Sequence, residues 1–155
     1  MTLQQEIQRI ATLYNINIEF ENGKLTKDSE WKFNNKVYLA SWNQTLSEEF
    51  IEKFQDKVDW YYISYKQKLS EELIEKFQDK AHWINISWKQ TLSEEFIEKF
   101  QDKVNWYNIS LRQELSEEFI RKFYHKIDFD RLFGNENISE EIKNKYKLIR
   151  DVIES

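Results

Sequence analysis

From Leu46 onward the chain spells nearly the same 23 residues again and again, and no other feature restricts its fold so tightly. The units read LSEEFIEKFQDKVDWYYISYKQK, LSEELIEKFQDKAHWINISWKQT, LSEEFIEKFQDKVNWYNISLRQE and LSEEFIRKFYHKIDFDRLFGNEN, followed by a partial ISEEIKNKYKLIRDVIES. The units that begin at Leu46 and Leu92 differ only at Asp59/Asn105, Tyr62/Asn108, Tyr65/Leu111, Lys66/Arg112 and Lys68/Glu114. A chain of this kind stacks like units, each burying an apolar face that it could not bury alone. Residues 29–45 hold a degraded copy. Phe33, Lys36 and Val37 echo the F-x-x-K-V of later units, but the stretch up to Ser41 is two residues short, which leaves its geometry open.

Within each unit the residue types predict two short helices of about ten and eight residues, shorter than isolated helices tolerate. Ser47 is suited to accept from the first-turn amides, and Glu48 and Glu49 oppose the positive end of the helix. Lys57 is expected at the negative end. Phe50, Ile51, Phe54 and Val58 fall on one face, and Leu46 precedes the cap where a hydrophobic staple onto Ile51 would sit. Asp59, Asn105 and Asp128 cap the second helix, with Val58, Val104 and Ile127 as staples, whereas His82 breaks the pattern. With no proline and only Gly23 and Gly134, the caps must mark the breaks. The aromatic and β-branched run VDWYYISY admits a strand, but cap and staple recur together and favour helix.

The ends differ from the repeats. Leu3, Ile7, Ile10 and Tyr14 share a helical face, and Asn22-Gly23 separates two short alternating runs, the signature of a hairpin. Near the C-terminus Ile142, Tyr146, Ile149 and Ile153 form an apolar stripe, with Lys143, Lys145, Lys147 and Arg150 to cover the other side. The expected fold is mainly all-α: a short α-solenoid of two-helix, 23-residue repeats. The chain forms a single repeat domain, 1–155, with an N-terminal cap of helix plus β-hairpin (1–28) and the degenerate repeat (29–45). Repeats at 46–68, 69–91, 92–114 and 115–137 follow, then a C-terminal capping helix (138–155).

The unit L-S-E-E-F-I-x-K-F-x-x-K-V-x-W resembles a short repeat found in largely uncharacterised proteins of giant viruses, low-GC bacteria and their phages. The resemblance covers residues 41 to about 142. It implies a repeat-built interaction protein and carries no catalytic residues onto this chain.

Composition narrows the partner. A net charge of −5 with 23 basic among 28 acidic residues leaves no basic footprint for a phosphate backbone, so nucleic acid is an unlikely partner. The absence of cysteine excludes thiolate metal sites and cysteine nucleophiles. No run is long and apolar enough for a membrane span, and no signal peptide is visible, so a cytoplasmic, intracellular protein is expected. The sequons at Asn43, Asn85, Asn108 and Asn137 are read as coincidences of the repeat.

Chemistry finds little purchase. Paired glutamates recur at helix starts, where capping explains them, and His82 and His125 occupy unrelated positions. No zinc, phosphate-loop or nucleophile-elbow motif occurs. No enzyme activity, cofactor or metal is expected, and the sequence sets no oligomeric state. In the second helix, Trp60, Ile63, Ser64 and Gln67 recur as Trp83, Ile86, Ser87 and Gln90, then as Trp106, Ile109, Ser110 and Gln113. Trp and Ile are expected in the core, and Ser and Gln as ties between units. The intervening positions vary: Tyr61, Tyr62 and Tyr65 become Ile84, Asn85 and Trp88, then Tyr107, Asn108 and Leu111, with Arg131 in the last unit and Trp42 in the degraded copy. Variation over a fixed scaffold is how repeat proteins present a binding face, and large aromatics supply much interface energy. The expected function is therefore a non-enzymatic protein-interaction module, an adaptor or a stoichiometric inhibitor. Its resemblance to viral and phage repeats suggests a host defence system as target. A nucleic-acid-binding helical repeat, using the basic stripe Lys143 to Arg150, is the alternative.

Overall fold

Serine and Asx caps divide the chain into helices much as the repeat requires. In a computed structural model, which describes residues 1–154, there are eleven helices and one two-stranded hairpin. Ser47, Ser70, Ser93 and Ser116 open α3 (Glu48–Lys53), α5 (Glu71–Lys76), α7 (Glu94–Lys99) and α9 (Glu117–Lys122), each hydroxyl accepting from the amide three residues on. Asp59, His82, Asn105 and Asp128 open α4 (Trp60–Lys66), α6 (Trp83–Lys89), α8 (Trp106–Arg112) and α10 (Phe129–Phe133). His82 thus does not break the rule. Its Nδ1 accepts from the Asn85 amide at 3.4 Å, since a ring nitrogen without a proton is as much an acceptor as a carboxylate.

The first helix of the unit, at six residues, is shorter than the ten expected, while α4, α6 and α8, at seven, are close to the expected eight. Phe54 leaves helical geometry at φ −111°, ψ 27°, and the amides of Lys57 and Val58 both bond back to its carbonyl, at 2.8 and 3.0 Å. A tight turn at 54–58 therefore replaces the last turn of helix. Val58 is buried from that turn, and Lys53 rather than Lys57 stands at the negative end.

The degraded copy is one continuous helix, α2 (Lys27–Asn43), capped by Thr26. Its missing two residues are those a turn and second cap would need, so the chain runs straight through. Before it come α1 (Leu3–Leu13), opened by a capping box between Thr2 and Gln5, and the hairpin β1 (Phe20–Glu21) and β2 (Lys24–Leu25). Asn22 and Gly23, at φ 50° and 76°, make the turn that the Asn-Gly pair predicts.

The chain divides into two compact units, Met1–Ala81 and His82–Ser155, parted in the turn that follows α5. In the first, α1 packs on α3 and α2 on α4. In the second, α6 packs on α8, and α8 on α10. Like helix on like helix is the packing of a mainly α, solenoid-type repeat. Ile51, Ile63 and Ile74 in the first unit, and Ile86, Ile97, Ile109, Ile120 and Leu132 in the second, are essentially sealed from solvent. The C-terminal helix α11 (Glu140–Glu154) differs from expectation: Tyr146 is buried and Ile142 and Ile149 half-buried, but Ile153 is exposed together with Leu148 and Val152. Lys143, expected on the outer side, is buried and bonds Glu140 at 2.9 Å.

Candidate protein-binding face

Two sets of polar bonds fix the second helices, and they decide which of their residues remain outward. Serine supplies the first. The hydroxyl of Ser41 accepts from the Asp59 amide at 3.0 Å, and in the second unit Ser87 and Ser110 accept from Asn105 and Asp128 at 2.9 Å each. Glutamine supplies the second. Gln67 accepts from the Leu46 amide at 3.0 Å and donates to the Gln44 carbonyl at 2.8 Å, and Gln113 treats Leu92 and Gln90 alike. These serines and glutamines are buried, as groups with complete hydrogen bonding can be. In the last repeat the shortened α10 moves this role to Asn135, whose amide donates to the carbonyls of Ser110 and Gln113.

With that side of each helix committed, one position of the period projects a large residue outward in four copies. Tyr38, Tyr61, Ile84 and Tyr107 lie 23 residues apart in sequence and are 47%, 49%, 54% and 41% exposed. Tyr65 is also exposed, whereas Trp42, Tyr62, Trp88 and Leu111 are half-buried. Asn85 and Asn108 do not belong to this face. They are 7% and 6% exposed, and the Asn108 amide donates to the Ile84 carbonyl at 3.1 Å, a tie between successive second helices. The helical period places them beside the outward residue, but both side chains turn inward, that of Asn108 to reach the second helix before it.

In the first unit the face is aromatic around one carboxylate. Trp42 meets Tyr38 edge-on, ring centroids 5.2 Å apart, and lies 4.9 Å from Tyr62, which in turn meets Tyr61 at 5.2 Å. Asp59 sits among them: Oδ1 accepts from the Tyr61 amide at 3.0 Å and Oδ2 from the Trp42 indole at 3.3 Å. A hydrogen bond with Asp59, reinforced by burial and by the carboxylate charge, raises the pKa of the Tyr38 phenol. In the second unit arginines cover the rings: Arg112 lies 4.9 Å from the centroid of Trp88, and Arg131 lies 4.3 Å from that of Tyr107.

Sequence reasoning took Asp59 only as a helix cap and overlooked Tyr38 and Arg112. Tyr38 stands one period before Tyr61, so the repeat register was the signal that could have found it. The paired glutamates also do more than oppose helix dipoles. Both Glu48 oxygens bond Ser70, one taking its amide and the other its hydroxyl, and Glu94 does the same for Ser116. Glu6 of α1 plays this part for Ser47.

Among the described residues no group of acidic, histidine or cysteine side chains could hold a metal ion, and no helix is long and apolar enough to cross a membrane. Comparison with protein-family models, curated proteins and solved structures finds no match to this chain.

Proposed function

We propose that the chain is a non-enzymatic protein-interaction module that acts by occupying the surface of another protein, as an adaptor or stoichiometric inhibitor. One observation carries this reading: the same outward position of the period holds a large residue in α2 and in the next three second helices, at Tyr38, Tyr61, Ile84 and Tyr107. Nothing in the packing of the repeat needs those side chains outside, and Asp130 stands at that position in the next repeat. The resemblance to viral and phage repeats favours an inhibitor directed at a host defence system, working in the host-cell cytoplasm. The nucleic-acid alternative draws no support from its proposed stripe, because Lys143, Lys145 and Arg150 are paired with Glu140, Glu117 and Asp130, and Lys147 lies over the Phe133 ring.

Capture from an extract of the native source tests the reading. Replacing Tyr38, Tyr61, Ile84 and Tyr107 together by serine should abolish recovery of a protein that the wild-type chain retains, with the melting transition preserved. Recovery at the wild-type level would remove this face from consideration.

A further inference from the structure

The outward rings meet different companions in the two units, and the repeat register accounts for the difference. Arg112 and Arg131 each follow the ring they cover by 24 residues, so in the second unit the succeeding second helix supplies the guanidinium. In the first unit the same interval leads from Tyr38 to Tyr62 and from Trp42 to Lys66. Neither delivers a guanidinium. Tyr62 packs its own ring, tilted by 35°, against Trp42, while Lys66 donates to the Trp42 carbonyl at 2.8 Å with its ammonium 5.8 Å from the Tyr62 centroid, leaving the Tyr38 and Trp42 rings without a cation over them among the described residues. The half-exposed carboxylate of Asp59 lies at the edge of the Trp42 ring, accepting from the Trp42 indole, the Tyr61 amide and the Tyr38 phenol, and paired with no lysine or arginine among the described residues. A negative charge at the edge of the Trp42 indole and beside the Tyr38 phenol, with the Tyr62 ring packed on Trp42, attracts a cation that can both stack and donate.

From this juxtaposition we infer that Tyr38, Trp42 and Tyr62, with Asp59 as counter-charge, receive an arginine side chain of the protein partner. The inference rests on the reading of the outer face as a protein-binding surface and names the chemistry of its ligand. Arginine suits the site better than lysine, because a planar and weakly hydrated guanidinium stacks on rings and reaches a carboxylate through several N–H groups at once. The second unit displays the same pairing within the chain itself.

The test uses the full chain and a blocked Gly/Ser peptide bearing several arginines, with counterparts in which citrulline or lysine replaces each arginine. Calorimetry should find the citrulline peptide, isosteric but uncharged, about tenfold weaker than the arginine peptide. Backbone NMR shifts on adding the arginine peptide should concentrate at Tyr38, Trp42, Asp59 and Tyr62. Asp59→Asn keeps the helix cap, since Asn105 fills the same role in a sister repeat, and should weaken the arginine peptide about threefold. Tyr38→Ala removes an exposed ring and should weaken it further without unfolding. Equal binding of the arginine and citrulline peptides, no binding at millimolar peptide, or shifts centred on the acidic helix starts at Glu48 and Glu49 would overturn the inference. If the peptides fail while capture of a natural partner still depends on Tyr38 and Tyr61, the arginine assignment falls and the protein-binding face stands. Loss of both removes both.

Discussion

The first helices and the outer side of the second helices are built on the same period and treat their side chains in opposite ways. At the start of a first helix, identical letters make identical bonds: Glu48 holds Ser70 as Glu94 holds Ser116, and Ser70 caps α5 as Ser116 caps α9. On the outer side of the second helices, one backbone position carries Tyr61 with a carboxylate close by in the first unit, Ile84 in α6, and Tyr107 under an arginine in α8. Repetition of sequence therefore marks where the fold holds itself together. Departure from it falls at positions whose side chains the packing of the repeat leaves unconstrained.

Substitutions should separate the two regions by what they cost. The largest loss belongs to the packed layer: Ile51→Ala empties a fully buried site and should lower unfolding free energy by about 2–5 kcal/mol, measured by urea denaturation. Gln113→Ala comes next. It strands the buried amide of Leu92 and the carbonyl of Gln90, and a cost of about 1–3 kcal/mol is expected in the same assay. Glu48→Ala should cost less, about 1 kcal/mol, because the Ser70 amide and hydroxyl it releases are only partly buried. On the outer face the scale changes: Ile84→Ser should shift stability by no more than about 0.5 kcal/mol, and a larger loss would return this position to the packing layer. The smallest effect is a titration. Asp59→Asn removes the partner that raises the Tyr38 phenol, so its midpoint should fall toward the ordinary tyrosine value in an NMR titration of ring-labelled protein. The sign is fixed by linkage: a phenol raised in the folded state contributes stability that is lost as pH climbs through its folded midpoint, so Asp59→Asn should flatten that alkaline loss.

Much of this was legible in the residues, and the failures have physical reasons. Caps and buried isoleucines follow from local chemistry and recur, so a single chain carries several copies of the evidence. Helix lengths were misjudged because the chain reverses at 54–58 without glycine or proline, through two amides converging on the Phe54 carbonyl. Spacing alone gives no sign of that event. The two-residue deficit before Ser41 was visible, but its meaning, a single helix in place of two, required the backbone. Asn85 and Asn108 were placed outward because a helical wheel gives direction and not reach. Glu6 and Asn135 assume repeat roles out of register, so no alignment of one unit on another could have revealed them. Tyr61, Tyr65, Ile84 and Tyr107 are exposed where letters vary, and Tyr38, one period before Tyr61, could have been placed with them by register.

The carboxylate that grips the serine of the following repeat gives the chain a direction. Within each unit a repeat offers two acceptor oxygens forward and depends on two offered from behind, with Glu6 beginning the series and Glu117 ending it on Lys145. Inserting one more whole repeat leaves that supply in balance, whereas cutting away the first helix withdraws a partner that no later residue can replace. Such a molecule can change its length in steps of one period while its N-terminal end stays fixed.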